Sequence, residues 1–450
     1  MNMKRSLAWI LLVLMIVFVF SACSGNNAGS NDTAKTETKA ETKAAETVKK
    51  DPVKITWATY LAGVDKGTEL FKKVLEDARQ EFKDEMIIEV EEIPGAENYV
   101  QKMKVLLSSD QLPDGIMDNS YDIIDMASKA GKLVSLSPYL DADPEWKKTI
   151  SKRGMEFNTR DGQVYGIPRD KMLIGYFYNK ELFEKAGIKP AETWKEFWDN
   201  CEKFKSMGIY GVAMDTAESA WFTNLLLGAI VGTSGPEGNK FMNAYQPTDY
   251  NTPEMIEAVT RVQYAFMNYA APDAVGGNWA PAANHFYKGD TAIFINGPWT
   301  IADFYNPETS PAGFDKKVGV SLFPEKGIYN GPSPGMLCGS RTKEAADAAV
   351  KIIKKYCSPE IQIQSAIMSG NAPDSPMVKI TDDLRSKSPL LCELIDISKE
   401  AKWEFNEYSS HWYMNVYDEM STNLYPALAT NKITPEEFCK KLTEAALKNK

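Results

Sequence analysis

Histidine is almost absent from this sequence, because His285 and His411 are the only two in 450 residues. That scarcity argues against a histidine-rich metal centre and leaves few candidates for a histidine general base. The six cysteines form no CxxC pair, which argues against a zinc ribbon or a thioredoxin-type redox centre. With a formal net charge of −10, the chain gains nothing from phosphate counterion release, so nucleic acid is not an expected partner.

Common enzyme motifs are missing as well. The P-loop, HExxH and GxGxxG patterns do not occur, and neither a metal nor a cofactor is expected. Residues 331–335 fit GxSxG, but the serine is followed by Pro334, which lacks the backbone N–H that an oxyanion hole would use. We therefore predict a Pro/Gly turn there. Glycoside hydrolysis needs only two carboxylates, so a secreted glycosidase stays open as an alternative.

The first residues look like an export signal. A basic start and an apolar run over 7–20 lead to the small-residue exit Ser-Ala-Cys23, which predicts a signal peptide over 1–22, with a plain transmembrane anchor as the alternative. The exit resembles a bacterial lipoprotein processing box, which implies that Cys23 is lipidated. Residues 23–51 are polar and charged and predict a flexible tether.

From residue 52 the chain alternates strand and helix patterns. Period-two and short apolar runs predict strands at 53–57, 86–93 and 115–117, and helical spacing predicts helices at 68–82 and 98–108. Repeated β-α-β units favour parallel sheets covered by helices. Thr193 and Glu196 form a capping box before a helix whose stripe places Trp194 and Trp198 in the core. Later helices are predicted at 342–356, 358–369 and 434–447.

Five cysteines remain after the leader. Their odd number and irregular spacing predict buried free thiols, since cysteine behaves as a small hydrophobe. One disulfide stays possible in an oxidising compartment, without assignable partners. The five are Cys201, Cys338, Cys357, Cys392 and Cys439.

Aromatic residues stand beside polar, glycine or proline residues at several places. A single tryptophan is more often part of a core, but a set of them near Asp, Asn and Arg favours a sugar site. Sugars offer apolar C–H faces for stacking and hydroxyl groups for charge-assisted hydrogen bonds. The set comprises Tyr60, Trp221, Trp279, Trp299, Trp412 and Tyr413.

Several segments together resemble the extracellular solute-binding proteins of family 1, the sugar-binding lipoproteins or periplasmic proteins of ABC importers. The likeness covers essentially residues 52–450. It is carried by residues 165–170 (YGIPRD), 178–188 (YNKELFEKAGI), 193–197 (TWKEF), 286–292 (FYKGDTA), 296–299 (NGPW), 112–114 (LPD) and 428–446 (LATNKITPEEFCKKLTEAA).

The resemblance implies an α/β fold of two lobes, the type II periplasmic-binding-protein fold, with a ligand cleft between lobes joined by crossing hinge strands. Lobe one would comprise 52–168 plus 318–370, and lobe two 169–317 plus 371–450. The strand at 318–324 is the expected crossover.

The resemblance also implies site residues. Trp299 matches a stacking tryptophan, Trp221 an aromatic of lobe two, and Trp412 or Tyr413 an aromatic near the C-terminus. Asp118, Asn119 and Asp170 match polar contacts, and Tyr60 and Trp279 are further candidates. His411 is expected to be a hydrogen-bonded surface residue rather than a ligand contact.

The expected function is therefore that of a binding protein without catalysis. It would capture a carbohydrate, most simply an oligosaccharide, and deliver it to the permease subunits of an ABC importer. The expected state is a monomer, anchored through Cys23 to the outer face of the cytoplasmic membrane. The alternatives are a non-sugar or phosphorylated solute in the same fold, and the glycosidase.

Overall fold

The structure is a computed structural model that describes residues 51–63, 67–118 and 121–449. The predicted signal peptide, Cys23 and the tether up to residue 50 lie outside the described residues, as does Asn119. Within the part that is described, no helix has the length and apolar character needed to cross a membrane.

The described residues form fourteen strands and twenty-one α-helices. The strands are β1 Val53–Thr59, β2 Met86–Glu92, β3 Gly115–Met117, β4 Thr159–Arg160, β5 Gln163–Val164, β6 Gly166–Pro168, β7 Lys171–Ile174, β8 Tyr176–Asn179, β9 Tyr210–Val212, β10 Thr291–Phe294, β11 Val318–Ser321, β12 Gly327–Pro332, β13 Gly335–Cys338 and β14 Trp403–Phe405. The helices are α1 Thr68–Glu81, α2 Ala96–Ser108, α3 Tyr121–Lys129, α4 Ser137–Ala142, α5 Pro144–Lys148, α6 Lys152–Phe157, α7 Lys180–Ala186, α8 Trp194–Ser206, α9 Trp221–Thr233, α10 Pro236–Met242, α11 Pro253–Asn268, α12 Trp279–Lys288, α13 Ile301–Tyr305, α14 Phe314–Lys317, α15 Lys343–Tyr356, α16 Pro359–Ser369, α17 Asp382–Lys387, α18 Pro389–Ser398, α19 Met414–Glu419, α20 Tyr425–Ala429 and α21 Pro435–Leu447.

The strands assemble into sheets that interleave along the chain. A five-stranded sheet has the order β2-β1-β3-β13-β6, a four-stranded sheet β11-β8-β10-β9, and a three-stranded sheet β14-β12-β7. Strand β1 pairs in parallel with β2 and β3, as the β-α-β pattern predicts. The five-stranded sheet is nevertheless mixed, because β13 runs antiparallel to both β3 and β6.

Two segments of two residues each link the five-stranded sheet to the three-stranded sheet. Strand β6 of the five-stranded sheet leads through Arg169 and Asp170 to β7 of the three-stranded sheet. Strand β12 leads back through Ser333 and Pro334 to β13, so the predicted Pro/Gly turn is the two-residue link between crossing strands. The strand predicted to cross at 318–324 contains β11, which does not link to the five-stranded sheet but pairs antiparallel with β8 inside the four-stranded sheet. The proposed lobe boundaries stay predictions.

Three clusters of buried apolar side chains hold these layers together. One packs against the five-stranded sheet and contains Trp57, Ile116 and Leu337. The other two cover opposite faces of β8, since Tyr176 enters one cluster and Phe177 the other. Successive side chains of a strand point to opposite faces, so this alternation buries β8 on both sides.

The predicted capping box and the predicted free thiols are confirmed, and three further helices have capping residues. Thr193 and Glu196 make a reciprocal capping box at α8, and Thr434 makes another at α21. Thr342 and Ser358 cap α15 and α16 by accepting backbone hydrogen bonds. All five cysteines of the described residues are free and buried.

Gly115 offers a direct test of the parallel pairing. It lies opposite the fully buried Trp57, and a Cβ added there would come within 2.0 Å of the indole ring. We expect Gly115→Ala to lower the free energy of unfolding by about 1–3 kcal/mol, because neither strand nor ring has room to shift freely. Urea unfolding measures this, with Val105→Ala on the exposed face of α2 as the control. Equal stability of the two variants would contradict the described register.

Candidate functional site

The crossing segments border a cleft of about 1560 Å³. Arg169 and Asp170 of one crossing, and Ser333 and Pro334 of the other, are part of its lining. One part of the remaining lining comes from residues that follow β1 and β2. Another part comes from the loop before α9 and from helices α12 and α16. A cleft beside crossing strands is the place where a two-lobed α/β protein can hold a ligand.

Six of the nine predicted ligand residues line this cleft: Tyr60, Asp170, Trp221, Trp279, Trp299 and Trp412. Asp118 is fully buried and, like the half-buried Tyr413, does not belong to the lining. Asn119 lies outside the described residues. The roles of all nine in ligand binding remain predictions.

Two tryptophans form an aromatic pair in the cleft. The ring centroids of Trp221 and Trp299 are 6.0 Å apart with an angle of 53° between the planes. The indole Nε1 of Trp221 donates to the side-chain oxygen of Asn296 at 3.0 Å, which fixes the rotation of the ring. Trp279 begins α12 and is 53% exposed at the cleft, so its ring remains available to a ligand.

Opposite them, Arg169 organises a polar corner. Its guanidinium donates to the hydroxyl of Tyr60 and lies 5.4 Å from the centre of that ring. Its Nε is also 3.8 Å from a carboxylate oxygen of Asp170. The hydroxyl of Ser333 donates to Asp170 as well, so one carboxylate connects both crossing segments. Charge-assisted bonds of this kind hold such groups in a defined geometry.

Arg169 and Ser333 are not among the site residues predicted from the sequence. Arg169 stands inside the YGIPRD block, next to the predicted Asp170, so its position was a usable signal. Ser333 offered none, because its partner is 163 residues away and only the crossing topology brings the two together.

Charged lining residues are mostly acidic. Among the described residues the lining has five carboxylates and two cations, Arg169 and Lys171; the carboxylates are Asp122, Asp170, Glu218, Asp303 and Asp418. Part of this acidity is compensated, since Lys104 lies 3.6 Å from Asp122. The cleft therefore offers no strongly basic surface of the kind that selects phosphates.

His411 differs from its prediction. It is buried rather than on the surface, with Asn406 at 2.9 Å from Nε2 and Ser410 at 2.6 Å from Nδ1. Burial lowers its pKa to about 4, and the positive charges of Arg153 and Arg160 add to that effect. The residue is hydrogen-bonded as expected, but the apolar ring of Phe157 at 5.4 Å replaces solvent on one side.

Two buried carboxyls lie behind the cleft. Asp215 accepts hydrogen bonds from the backbone N–H groups of Phe222 and Thr223, and Glu407 accepts one from Ser409. Burial raises the pKa of each to about 7, although these hydrogen bonds pull in the opposite direction. Loss of solvation outweighs hydrogen bonding at both positions.

Known proteins similar to this chain include bacterial solute-binding proteins. Residues 77–388 match the sequence profile of the family described as bacterial extracellular solute-binding proteins. A multiple sugar-binding protein of Streptococcus mutans is 23% identical over 244 residues, which are 48% of this chain and 56% of that protein. An sn-glycerol-3-phosphate-binding periplasmic protein of Shigella dysenteriae is 23% identical over 233 residues, 48% of this chain and 50% of that protein. The chain thus spans about half the length of these relatives.

One solved structure is similar to this chain over a larger part of its length than these relatives are. That of a chitin oligosaccharide binding protein covers 89% of this chain and 99% of its own length, with a TM-score of 0.78 and 22% identity. The shared fold is the two-lobed α/β fold predicted from the sequence.

The buried carboxyls predict a pH dependence of stability. In the unfolded chain both ionise near pH 4, whereas in the folded protein Asp215 and Glu407 hold their protons up to about pH 7. The folded state therefore binds more protons between these values, and both residues make stability fall as pH rises through that window.

Melting temperatures of the wild type and of the Asp215→Asn/Glu407→Gln variant, measured from pH 4.5 to 7.5, test this. The amides cannot ionise, so the variant should lose less stability than the wild type as pH rises. Parallel curves would contradict the assigned protonation states.

Proposed function

Because the chain belongs to the family of bacterial extracellular solute-binding proteins, we propose that it binds an oligosaccharide in the cleft and delivers it to the permease of an ABC importer. The family is extracellular or periplasmic, which agrees with the export signal predicted at the N-terminus. Sugar-binding relatives such as the Streptococcus mutans protein support the ligand class.

The observation that carries the proposal is the set of aromatic rings in the cleft. Trp221, Trp279 and Trp299 give flat apolar faces, and Asn296, Arg169 and further polar groups stand beside them. A sugar ring needs this combination, since its C–H face stacks on an aromatic ring while its hydroxyls hydrogen-bond at the edge.

Size favours an oligosaccharide over a single sugar. Sites for small ligands usually measure about 300–1,000 Å³, whereas this cleft measures about 1560 Å³. Several sugar units would be needed to fill it and to reach both the tryptophan pair and the Arg169 corner.

The charge of the lining argues against the phosphorylated alternative. Five carboxylates face two cations, and one of these cations, Arg169, already contacts Tyr60 and Asp170. A phosphate would meet repulsion without a free cluster of donors. The glycosidase alternative finds no support among the relatives, which are named as binding proteins.

Ligand capture would close the two lobes about the crossing segments. Contacts that could hold a closed arrangement link elements attached to different sheets. The hydroxyl of Tyr245 donates to Asp125, which also accepts from Arg160. Arg153 donates to Asn406 at 2.8 Å. We propose lobes at 52–168 plus 318–370 and 169–317 plus 371–450, although β11 and β12 of the first lobe pair with strands of the second.

A ligand screen tests the proposal. Maltotriose, xylotriose and chitotriose, with their longer homologues, are added to the protein and the melting temperature and tryptophan fluorescence are recorded. We expect at least one oligosaccharide to raise the melting temperature, because binding to the folded state alone stabilises it. No response to any of them would overturn the sugar assignment, and release of shorter glycans on long incubation would favour the glycosidase.

Trp279→Ala tests the stacking role with little expected effect on the stability of the fold. The ring is about half exposed, so its removal should leave the melting temperature of the free protein nearly unchanged. Loss of one stacking surface should weaken affinity for the oligosaccharide found in the screen by about fivefold to tenfold. Trp403→Ala is the matched control, because Trp403 is half-buried and does not line the cleft. Equal affinities for all three proteins would speak against stacking on Trp279.

We further propose that Cys23 carries the lipid anchor and that 23–51 is the tether, with the body acting as a monomer. Cys23→Ser is expected to release the protein from the membrane fraction into the medium. Cell fractionation followed by immunoblotting measures this. A variant that stays with the membrane would favour an uncleaved transmembrane anchor.

A further inference from the structure

The loop at residues 216–221, between β9 and α9, presents Trp221 to the cleft. Thr216, Ala217, Glu218, Ser219 and Trp221 all belong to the cleft lining. The backbone of this loop is unusual, since Glu218 has φ 55° and Ala220 has φ 45°. Non-glycine residues rarely adopt this left-handed region, and they keep it only where the surroundings impose it.

Asp215 and Thr223 hold the base of this loop through hydrogen bonds between them and the first turn of α9. The carboxylate oxygen Oδ1 of Asp215 accepts from the N–H groups of Phe222 at 3.1 Å and Thr223 at 3.2 Å. In return, the hydroxyl of Thr223 donates to the carbonyl of Asp215 at 2.6 Å and accepts from its N–H at 3.2 Å. Both residues are buried, so four hydrogen bonds close the loop away from solvent.

Two further contacts hold the remainder of the loop. The amide of Asn224 donates to the carbonyl of Ser219 at 2.8 Å, and Asn224 itself accepts from the hydroxyl of Tyr425. The N–H groups of Thr216 and Ala217 donate to the carbonyl of Gly277 at 3.1 and 2.9 Å. None of these contacts involves the N–H groups of Phe222 and Thr223 in the first turn of α9, which donate to Asp215.

Helix α9 has no side-chain cap at its N-cap residue. Its N-cap is Ala220, whose side chain has no oxygen that could accept a hydrogen bond from the first turn. The carboxyl group of Asp215 takes over this function from outside the helix, because its oxygen accepts two first-turn N–H groups. Replacing Asp215 by a residue without an acceptor would release the N–H groups of Phe222 and Thr223, and with them the bonds that hold the loop against the helix.

We propose that Asp215 is the positioning residue of the sugar site: it accepts the first-turn hydrogen bonds of α9 and thereby holds the Trp221 ring in the orientation that receives the ligand. This inference rests on the proposed function. Asp215 does not itself line the cleft, so its effect on binding acts through the loop.

A double-mutant cycle separates positioning from a general loss of stability. Maltotriose, xylotriose and chitotriose are titrated into the wild type, Asp215→Ala, Trp221→Ala and the double variant. If the loop occupies its binding conformation about a tenth of the time without Asp215, affinity falls about tenfold. In the Trp221→Ala background, Asp215→Ala should change affinity less than twofold. Equal losses in both backgrounds would overturn the proposal.

Two variants serve as controls. Asp215→Asn keeps an oxygen acceptor and should restore affinity to within about twofold of the wild type, because the first-turn bonds can still form. Thr434→Ala removes the cap of α21, a helix that contributes nothing to the cleft lining. It should lower the melting temperature without changing affinity.

A second readout needs no ligand. The protein is labelled with 5-fluorotryptophan, and the Trp221 resonance is assigned by its loss in Trp221→Phe. Asp215→Ala should split or broaden this ¹⁹F signal, Asp215→Asn should leave it sharp, and the Trp403 signal should not respond. An unchanged Trp221 signal in Asp215→Ala overturns the positioning role. If no sugar binds the wild type, the proposed function fails while this measurement still decides whether Asp215 orders the ring.

Discussion

The hydrogen bond between Ser333 and Asp170 joins the two segments in which the chain crosses between sheets. Both residues also line the cleft. Asp170 also lies beside Arg169, and Arg169 contacts Tyr60 at the end of the first strand. Short crossing segments restrict relative motion of the lobes to a hinge, and a hinge changes the cleft more than any other part of the protein.

The two walls of the cleft are prepared by different means. On the side of the five-stranded sheet, charge-assisted contacts around Arg169 fix polar groups. On the other side, the indole bond to Asn296 holds the ring of Trp221, which follows a loop with two residues in the left-handed region. Side chains that are already held in place lose little conformational entropy when a ligand binds. More of the free energy gained from the contacts therefore remains as affinity.

Much of the fold was predictable from local patterns. Strands such as β1 and helices such as α8 follow from period-two or helical spacing and from capping residues next to each other in the chain. Export signals and family blocks are also local. The mixed pairing of β13, the link at Ser333 and the true crossing were not predictable, because they depend on contacts between distant parts of the chain.

The same distinction applies to the site. Aromatic residues beside polar ones indicated a sugar cleft, and six of the nine named residues lie in its lining. Asp118 follows its strand as expected, yet it is buried behind the surface, since the side chain's direction is decided by the sheet and not by the motif. The cap supplied by Asp215 left no signal either, because it sits outside the helix it caps and seven residues before the first N–H that it accepts.

Small-angle X-ray scattering with and without the oligosaccharides tests the central claim most directly. If the cleft binds a carbohydrate and the lobes close on it, the radius of gyration of the protein decreases when the ligand is saturating. A radius that stays the same with every oligosaccharide, at concentrations far above those of the protein, would contradict a cleft that closes on sugar.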